Sequence, residues 1–230
     1  MKKSNKLLLG GFLFVILLIT GVHVALYAKY KNGDYIVYSP GSMNRQGAMQ
    51  SFPGIATVSI RNMHADIEFG DVLSVEKDPG GFTRYVQKGD SLVISAGDET
   101  SAVVNPGQIK LVLPYNVTVS GSNSKLAFKA TKNKADANPV LFLNNSVVAF
   151  GSWENPIRLD HVKLVAADQS TVSIGNALIN HLEVELRKSS LEDNEATIGQ
   201  LSVATDSTSQ LTLRSHHLLK AKITSISNIP

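Results

Sequence analysis

The amino-acid sequence predicts an all-β fold, a β-solenoid, preceded by one N-terminal transmembrane helix. Three observations lead to this prediction: an uncharged apolar run near the N-terminus, short alternating runs from residue 51 onward, and a repeat of about 19–22 residues. Together they divide the chain into a cytoplasmic tail at 1–6, an anchor at 7–28, a linker at 29–50 and a solenoid domain at 51–230.

Residues 7–28 form the predicted anchor, because these 22 positions carry no formal charge and are mostly Leu, Ile, Val and Phe. At a rise of 1.5 Å per residue the helix would be about 33 Å long, enough for a hydrocarbon core of about 30 Å. Three lysines precede the run and two follow it, which favours N-in insertion in a bacterial cytoplasmic membrane with residues 32–230 in the periplasm. The alternative is a cleaved signal peptide, whose apolar region is usually only about 7–15 residues long.

The basic balance of the chain, 22 Lys and Arg against 19 Asp and Glu, belongs to the N-terminus. Residues 1–31 contain five lysines and no acidic residue, so the remainder has 17 basic and 19 acidic residues. This distribution argues against a nucleic-acid partner. The chain has no cysteine, which excludes a thiol nucleophile, a disulfide framework and a cysteine-based metal site.

Short runs with period-2 alternation of apolar and polar residues predict β-strands throughout the domain. Strands are expected at 56–60, 65–69, 72–76, 83–87, 91–95, 109–113 and 117–119, separated by turn residues such as the Asp-Pro-Gly-Gly segment at 78–81. No stretch after residue 51 shows a helical period over three turns. An all-β domain follows from this pattern.

A repeat of nearly constant length predicts how the strands are arranged. Apolar positions recur in three columns: Leu159, Ile179, Ile198 and Leu218; Val162, Leu182, Leu201 and Ala221; Leu164, Val184, Val203 and Ile223. Serines 170, 190 and 209 mark a shared polar position, and Ser124 with Ser146 and Phe128 with Phe150 recur at a spacing of 22. A repeat of this length fits one solenoid coil, in which equivalent residues stack about 4.8 Å apart. The alternative is an antiparallel sandwich, which would show alternation without a fixed phase.

Residues 52–213 resemble the head GIN domain of the auto-transporter adhesin family, which is common in Gram-negative envelopes. The segments that carry the resemblance read ATVSIRNMHADIEF at 56–69, IKLVLPYNVTVSGSNSKLAF at 109–128 and HLEVELRKSSLEDNEATIGQLSVATDSTSQLTL at 181–213. The resemblance implies a right-handed β-helix-like fold and an envelope location. It supplies no catalytic or ligand-binding residues.

Two features are candidates for ligand contact. Lysines 125, 129, 132 and 134 form a basic cluster with no acidic residue between positions 121 and 134, which could bind lipid headgroups or anionic glycans. The alternative for this cluster is a solvated loop. Trp153, the single tryptophan, lies in a polar loop where it could stack on a sugar or pack against a coil edge.

The sequence shows no complete catalytic or metal-binding motif. His161 and His181 would stack on adjacent coils, but no third ligand accompanies them, so a solvated pair is favoured over a metal site. Polysaccharide-cleaving β-helix enzymes use clustered carboxylates, and this chain offers four in neighbouring coils: Asp160, Asp168, Glu183 and Glu185. Because Lys163 and Arg187 are interleaved with them, a solvated face is the preferred interpretation.

The predicted function is therefore a non-enzymatic one: an anchored envelope protein that displays a solenoid for interaction, adhesion or scaffolding. The expected partners are the lipid bilayer and either envelope proteins or glycans, and no cofactor or metal is expected. The alternative is a polysaccharide-acting hydrolase or lyase of the cell envelope. A periplasmic sensor is disfavoured because a tail of about six residues cannot house an output domain.

Overall fold

The computed structural model describes residues 3–31, 48–77, 83–96, 108–130, 136–151 and 155–226. The chain divides into two compact units, Met1–Arg45 and Gln46–Pro230.

The first unit contains helix α1, Lys3–Lys31, which includes the predicted apolar run. Two polar side chains bond back to carbonyl oxygens one helical turn earlier: Thr20 Oγ1 to Ile16 at 2.8 Å and His23 Nδ1 to Ile19 at 2.8 Å. Side chains of α1 are described at 11–13, 15–25 and 27–28. Within the described residues, no helix combines the length and the apolar character that a bilayer crossing requires. Membrane anchoring by this segment stays a prediction.

The second unit is built from β-strands and one short helix. Its elements are β1 Met49–Phe52, β2 Thr57–Arg61, β3 His64–Gly70, β4 Leu73–Glu76, β5 Thr83–Lys88, β6 Ser91–Ala96, β7 Gln108–Pro114, β8 Thr118–Ser122, β9 Lys125–Phe128, β10 Val140–Asn144, β11 Val147–Phe150, β12 Ile157–Ala167, β13 Thr171–Ile174, β14 Ala177–Leu186, β15 Ser190–Asp193, β16 Thr197–Thr205, β17 Gln210–Thr212, α2 Ser215–Leu218 and β18 Lys222–Ser225. The predicted strands at 56–119 agree with β2 to β8 within a few residues.

The strands form two sheets of nine strands each, which are mainly parallel. Sheet A has the order β1-β4-β7-β3-β9-β11-β13-β15-β17, and sheet B has the order β18-β16-β14-β12-β10-β8-β2-β6-β5. Among the described strands, antiparallel pairing occurs in the N-terminal part, where β1 pairs with β4, β4 with β7, and β5 with β6. The prediction of a mostly β fold is therefore confirmed, and the mainly parallel pairing does not fit the alternative of an antiparallel sandwich.

From β8 onward the chain alternates between the sheets, with one strand in sheet B followed by one in sheet A, and we call each such pair a coil. The register confirms the predicted columns: Val162 pairs with Leu182 and Leu182 with Leu201, while Leu159, Ile179 and Ile198 are likewise adjacent. Farther upstream, Phe128 pairs with Phe150 across β9 and β11.

The apolar core consists of the inward residues of both sheets. Strands such as β8, β9 and β13 alternate between buried and more exposed positions, as period 2 requires. Three aromatic rings form a column within it: the ring centroids of Phe69 and Phe128 lie 5.8 Å apart, and those of Phe128 and Phe150 lie 4.9 Å apart. Burying such a side chain contributes about 2–3 kcal/mol from apolar transfer alone.

The order of the first coils in space differs from their order in the chain. The β2/β3 coil lies between β6/β7 on one side and β8/β9 on the other, with all of these pairs parallel. The chain therefore forms the β2/β3 coil first, then β6/β7 on one side of it, and then β8/β9 on the opposite side. The antiparallel strands β1, β4 and β5 complete the N-terminal end.

Two details of the predicted repeat are wrong. Leu218 does not extend the first apolar column, because it belongs to α2 and its side chain is 51% exposed. Ser190 does not align with Ser170, since it pairs with Thr171 on one side and Gln210 on the other. The adjacent Ser189 is the buried one.

Buried serines mark one corner of the coils: Ser124, Ser146, Ser170 and Ser189. Each hydroxyl donates to a carbonyl oxygen two or three residues earlier, as Ser146 does to Asn144 at 2.8 Å. Hydroxyls also accept from the backbone of a neighbouring coil, because Ser124 N–H donates to Ser146 Oγ and Ser146 N–H to Ser170 Oγ, each at 3.2 Å. These hydrogen bonds satisfy buried polar groups at the corners, where the backbone hydrogen bonding of the sheets is interrupted.

Candidate functional site

Three asparagines occupy equivalent turns, where the chain passes from sheet B to sheet A. Asn62 lies between β2 and β3, Asn123 between β8 and β9, and Asn145 between β10 and β11. Their φ angles are 55°, 50° and 45°, in the left-handed region that asparagine tolerates better than most residues. Because β8 pairs with both β2 and β10, the three turns lie side by side.

The side chains of these residues form a chain of hydrogen bonds that we call the asparagine ladder. Asn145 Nδ2 donates to Asn123 Oδ1 at 2.7 Å, and Asn123 Nδ2 donates to Asn62 Oδ1 at 3.2 Å. The backbone N–H groups of the same residues donate to carbonyl oxygens of adjacent coils. Backbone and side-chain bonds together fix the position of each amide.

A shallow groove of about 420 Å³, which we call the ladder groove, is lined by the ladder and by Met63, His64, Ser124, Lys125 and Val147. His64 and Lys125 face each other in register on β3 and β9, and Val147 is the next neighbour on β11. No acidic residue is among the described residues that line it. Its volume lies within the range of about 300–1,000 Å³ that small-molecule sites occupy.

The structure separates the members of the predicted basic cluster. Lys125 lines the ladder groove, whereas Lys129 Nζ lies 2.5 Å from Asp66 Oδ2 in an ion pair. Lys132 and Lys134 lie outside the described residues, as does Trp153. Of the predicted contact residues, Lys125 is thus the one that the structure brings to a groove.

The sequence prediction did not single out the asparagines. The signal that could have identified them is an asparagine placed directly before a serine at a coil corner, in Asn123-Ser124 and Asn145-Ser146, 22 residues apart. Asparagine at such a position indicates a left-handed turn.

The two histidines on β12 and β14 stack as predicted. The ring centroids of His161 and His181 are 5.9 Å apart with 16° between the ring planes, and His161 Nε2 lies 3.6 Å from Glu183 Oε1. Both side chains in this contact are about half exposed. Among the residues that the structure describes, no group of three His, Cys, Asp or Glu side chains could hold a metal ion.

The four carboxylates considered for polysaccharide cleavage each contact a polar partner. Asp160 accepts a hydrogen bond from Asn180 at 2.8 Å, and Asp168 accepts one from Asn144 at 2.5 Å. Glu185 pairs with Arg187 at 2.5 Å, and Glu183 is the partner of His161. None of the four lines the ladder groove.

A buried polar network lies at the C-terminal end of the stack. His217 Nδ1 lies 2.5 Å from Asp193 Oδ2, and His217 Nε2 accepts the backbone N–H of Ile198 at 3.2 Å. Because Nε2 is an acceptor, the ring proton is on Nδ1 and is donated to the carboxylate. Arg214 Nε lies 3.5 Å from the same carboxylate oxygen.

A second carboxylate near this end organises a turn. Asp206 Oδ1 accepts hydrogen bonds from Ser209 Oγ at 2.7 Å and from the hydroxyl and N–H of Thr208, while Oδ2 accepts the N–H of Lys188. The hydrogen bond from Ser209, assisted by those from Thr208 and Lys188, lowers the pKa of Asp206 to about 2. This network stabilises the turn at 206–209.

Comparisons with known proteins give little guidance. No protein-family model matches the chain, and no curated protein matches it. Among solved structures, the chain is similar to a crystal structure of a "putative adhesin" from Parabacteroides merdae, with 11% identity, a TM-score of 0.27, and coverage of 80% of this chain and 98% of that one. A TM-score this low supports no argument about fold or function. The resemblance to the head GIN domain stays a prediction.

Proposed function

We propose that the chain is a membrane-anchored envelope protein that displays a right-handed β-solenoid of about 19–22 residues per coil. The displayed domain serves interaction, adhesion or scaffolding, and it binds its partner without catalysis. The anchor and its N-in orientation rest on the sequence of residues 7–28 and on the lysines that flank them.

The observation that carries the binding role is the repetition of outward positions from coil to coil. On sheet B, for example, Lys163, Glu183 and Ser202 occupy the same position on successive strands. Neighbouring strands are about 4.8 Å apart, so outward side chains follow one another at that interval along the stack. A regular array suits a repeating or extended partner, such as a glycan chain, better than it suits cleavage of a single bond.

The residues that line the ladder groove also support binding over catalysis. Hydrolysis of a glycosidic bond ordinarily needs two carboxyl groups that flank the bond. The described residues that line the groove include amides, a lysine and a histidine, but no carboxylate.

Membrane anchoring is tested by expressing the full chain in a Gram-negative host. We expect the protein to stay in the membrane pellet after an alkaline carbonate wash and to be digested by protease added to spheroplasts. A matched variant with Leu17→Lys and Leu18→Lys should be released, since each central lysine costs about 2.5–3.5 kcal/mol of insertion free energy. Release of the unaltered chain, or a mature N-terminus near residue 29, would contradict anchoring.

Binding without catalysis is tested on the full chain, purified in a mild nonionic detergent and immobilised. The probe is purified envelope polysaccharide of defined length. We expect the polysaccharide to be retained and to be eluted with its length unchanged. Shortened chains would refute the proposal in favour of the hydrolase or lyase, and failure to retain the probe would refute binding of envelope glycans.

A further inference from the structure

We propose that the ladder groove is a binding site for an acidic glycan, whose carboxylate groups are bound by Lys125 and by the side-chain amides of the asparagine ladder. This assignment rests on the binding role proposed above and gives it a place and a ligand class. It follows from the hydrogen-bonding state of the amides, the charge of the groove and its extent along the stack.

The ladder makes the groove rich in hydrogen-bond donors. A carboxamide has two N–H donors and one acceptor oxygen. The ladder occupies the oxygens of Asn62 and Asn123 but uses only one N–H of Asn123 and one of Asn145. Within the described residues, both N–H donors of Asn62 and one each of Asn123 and Asn145 stay available. A ligand with many acceptor oxygens therefore matches the N–H donors that the asparagine ladder presents to the groove.

The charge of the groove is positive. Lys125 has no ion-pair partner within the described part of the chain, whereas the neighbouring Lys129 is paired with Asp66. His64, adjacent to Lys125 in register, adds a polar ring. Because none of the described residues that line the groove is acidic, a carboxylate can form charge-assisted hydrogen bonds with them without repulsion.

The extent of the groove favours an oligosaccharide over a small ion. Three rungs spaced by about 4.8 Å cover about 10 Å along the stack. The side chain of Val147, 43% exposed, adds an apolar surface beside the ladder, against which the C–H face of a sugar ring can pack. A carboxylated sugar chain thus meets donors, charge and apolar surface together.

The test is calorimetric titration of the full chain in nonionic detergent. The probe is tetragalacturonate, and its fully methyl-esterified form is the ligand control because it keeps the sugar chain but has no charge. We expect tetragalacturonate to bind and the ester to bind at least about tenfold more weakly, as loss of a charge-assisted hydrogen bond requires.

Two variants address the site directly. Lys125→Gln removes the charge, and Asn145→Gly removes one amide while allowing the φ of 45° at that position. Each should weaken tetragalacturonate binding by about tenfold. Lys220→Gln, at an exposed lysine after α2 that lies outside the groove and outside both sheets, is the matched control and should leave the affinity unchanged. Thermal unfolding verifies that all three variants are folded.

The assignment is overturned if tetragalacturonate does not bind, if the ester binds equally well, or if Lys125→Gln and Lys220→Gln weaken binding to the same extent. Competition by inorganic sulfate at equal molar concentration would also overturn it, because the site would then bind any small anion. These results are separate from those on the proposed function. If the chain binds tetragalacturonate but is washed off the membrane, the binding site is supported and membrane anchoring is refuted. If the Lys125→Gln variant still retains envelope polysaccharide, the ladder groove is refuted as the binding site, but the proposed binding function stands.

Discussion

Replacement of Phe128 by alanine should destabilise the domain more than replacement of any exposed aromatic residue. The Phe128 side chain is fully buried, and its ring lies between those of Phe69 and Phe150 at centroid distances of 5.8 and 4.9 Å. Truncating a buried phenylalanine costs about 3–5 kcal/mol, because apolar transfer energy is lost and a cavity is left. The loss of both ring contacts places the expected cost at the upper end of this range.

The matched control is Phe142→Ala, which makes the same chemical change at a side chain that is 45% exposed on sheet B. Urea unfolding followed by circular dichroism should show a loss of about 4–5 kcal/mol for Phe128→Ala and of at most about 1 kcal/mol for Phe142→Ala. The melting temperature should fall by about 8–20 °C in the first variant, given about 2–4 °C per kcal/mol for a domain of this size. Equal losses in the two variants would refute the stacked column of phenylalanines.

Two further predictions concern the C-terminal end. His217→Ala should lower the free energy of unfolding by about 3 kcal/mol, because it removes the shortest hydrogen bond to the buried Asp193 carboxylate. His216→Ala, at an exposed position, should change it by less than about 0.5 kcal/mol. Equal effects in urea unfolding would contradict the network. Since the pKa of Asp206 is lowered from 3.8 to about 2, its carboxylate stabilises the fold above about pH 4, and this contribution is lost as the pH falls through about 2. Asp206→Asn should therefore show a smaller fall in melting temperature between about pH 5 and pH 2, and parallel curves for the two proteins would contradict the shift.

The apolar columns could be predicted because they depend on two strong signals, alternation and a constant repeat. Equivalent residues such as Val162, Leu182 and Leu201 share a phase that only stacked coils satisfy, and the register confirms it. The error at Ser190 has a local cause. Ser189 and Ser190 are adjacent, so spacing alone cannot distinguish which of them turns inward when a coil is shortened by one residue.

Other features leave no such pattern in the sequence. The position of β2/β3 between β6/β7 and β8/β9 depends on which of several similar apolar strands pair, and alternation does not specify the partner. Helix α2 is four residues long, too short for a helical period to appear, so Leu218 matched a column that ends before it. In the ladder groove, the charge pattern of the sequence predicts Lys125 as a contact residue. The asparagines carry no charge and are recognised in the structure by their left-handed backbone conformation, so the sequence prediction missed them.

The position of the β2/β3 coil also gives the domain a direction of unfolding. This coil has a neighbour on each side, whereas the last strand, β18, pairs with β16 alone. Antiparallel strands cover the N-terminal end of the stack, so we expect coils to unfold one after another mainly from the C-terminal end. At that end, the hydrogen bond between Asp193 and His217 holds α2 against the stack. Amide hydrogen exchange should accordingly be fastest in β18 and slowest in β2, which makes the C-terminal coils the first to respond to strain or heat.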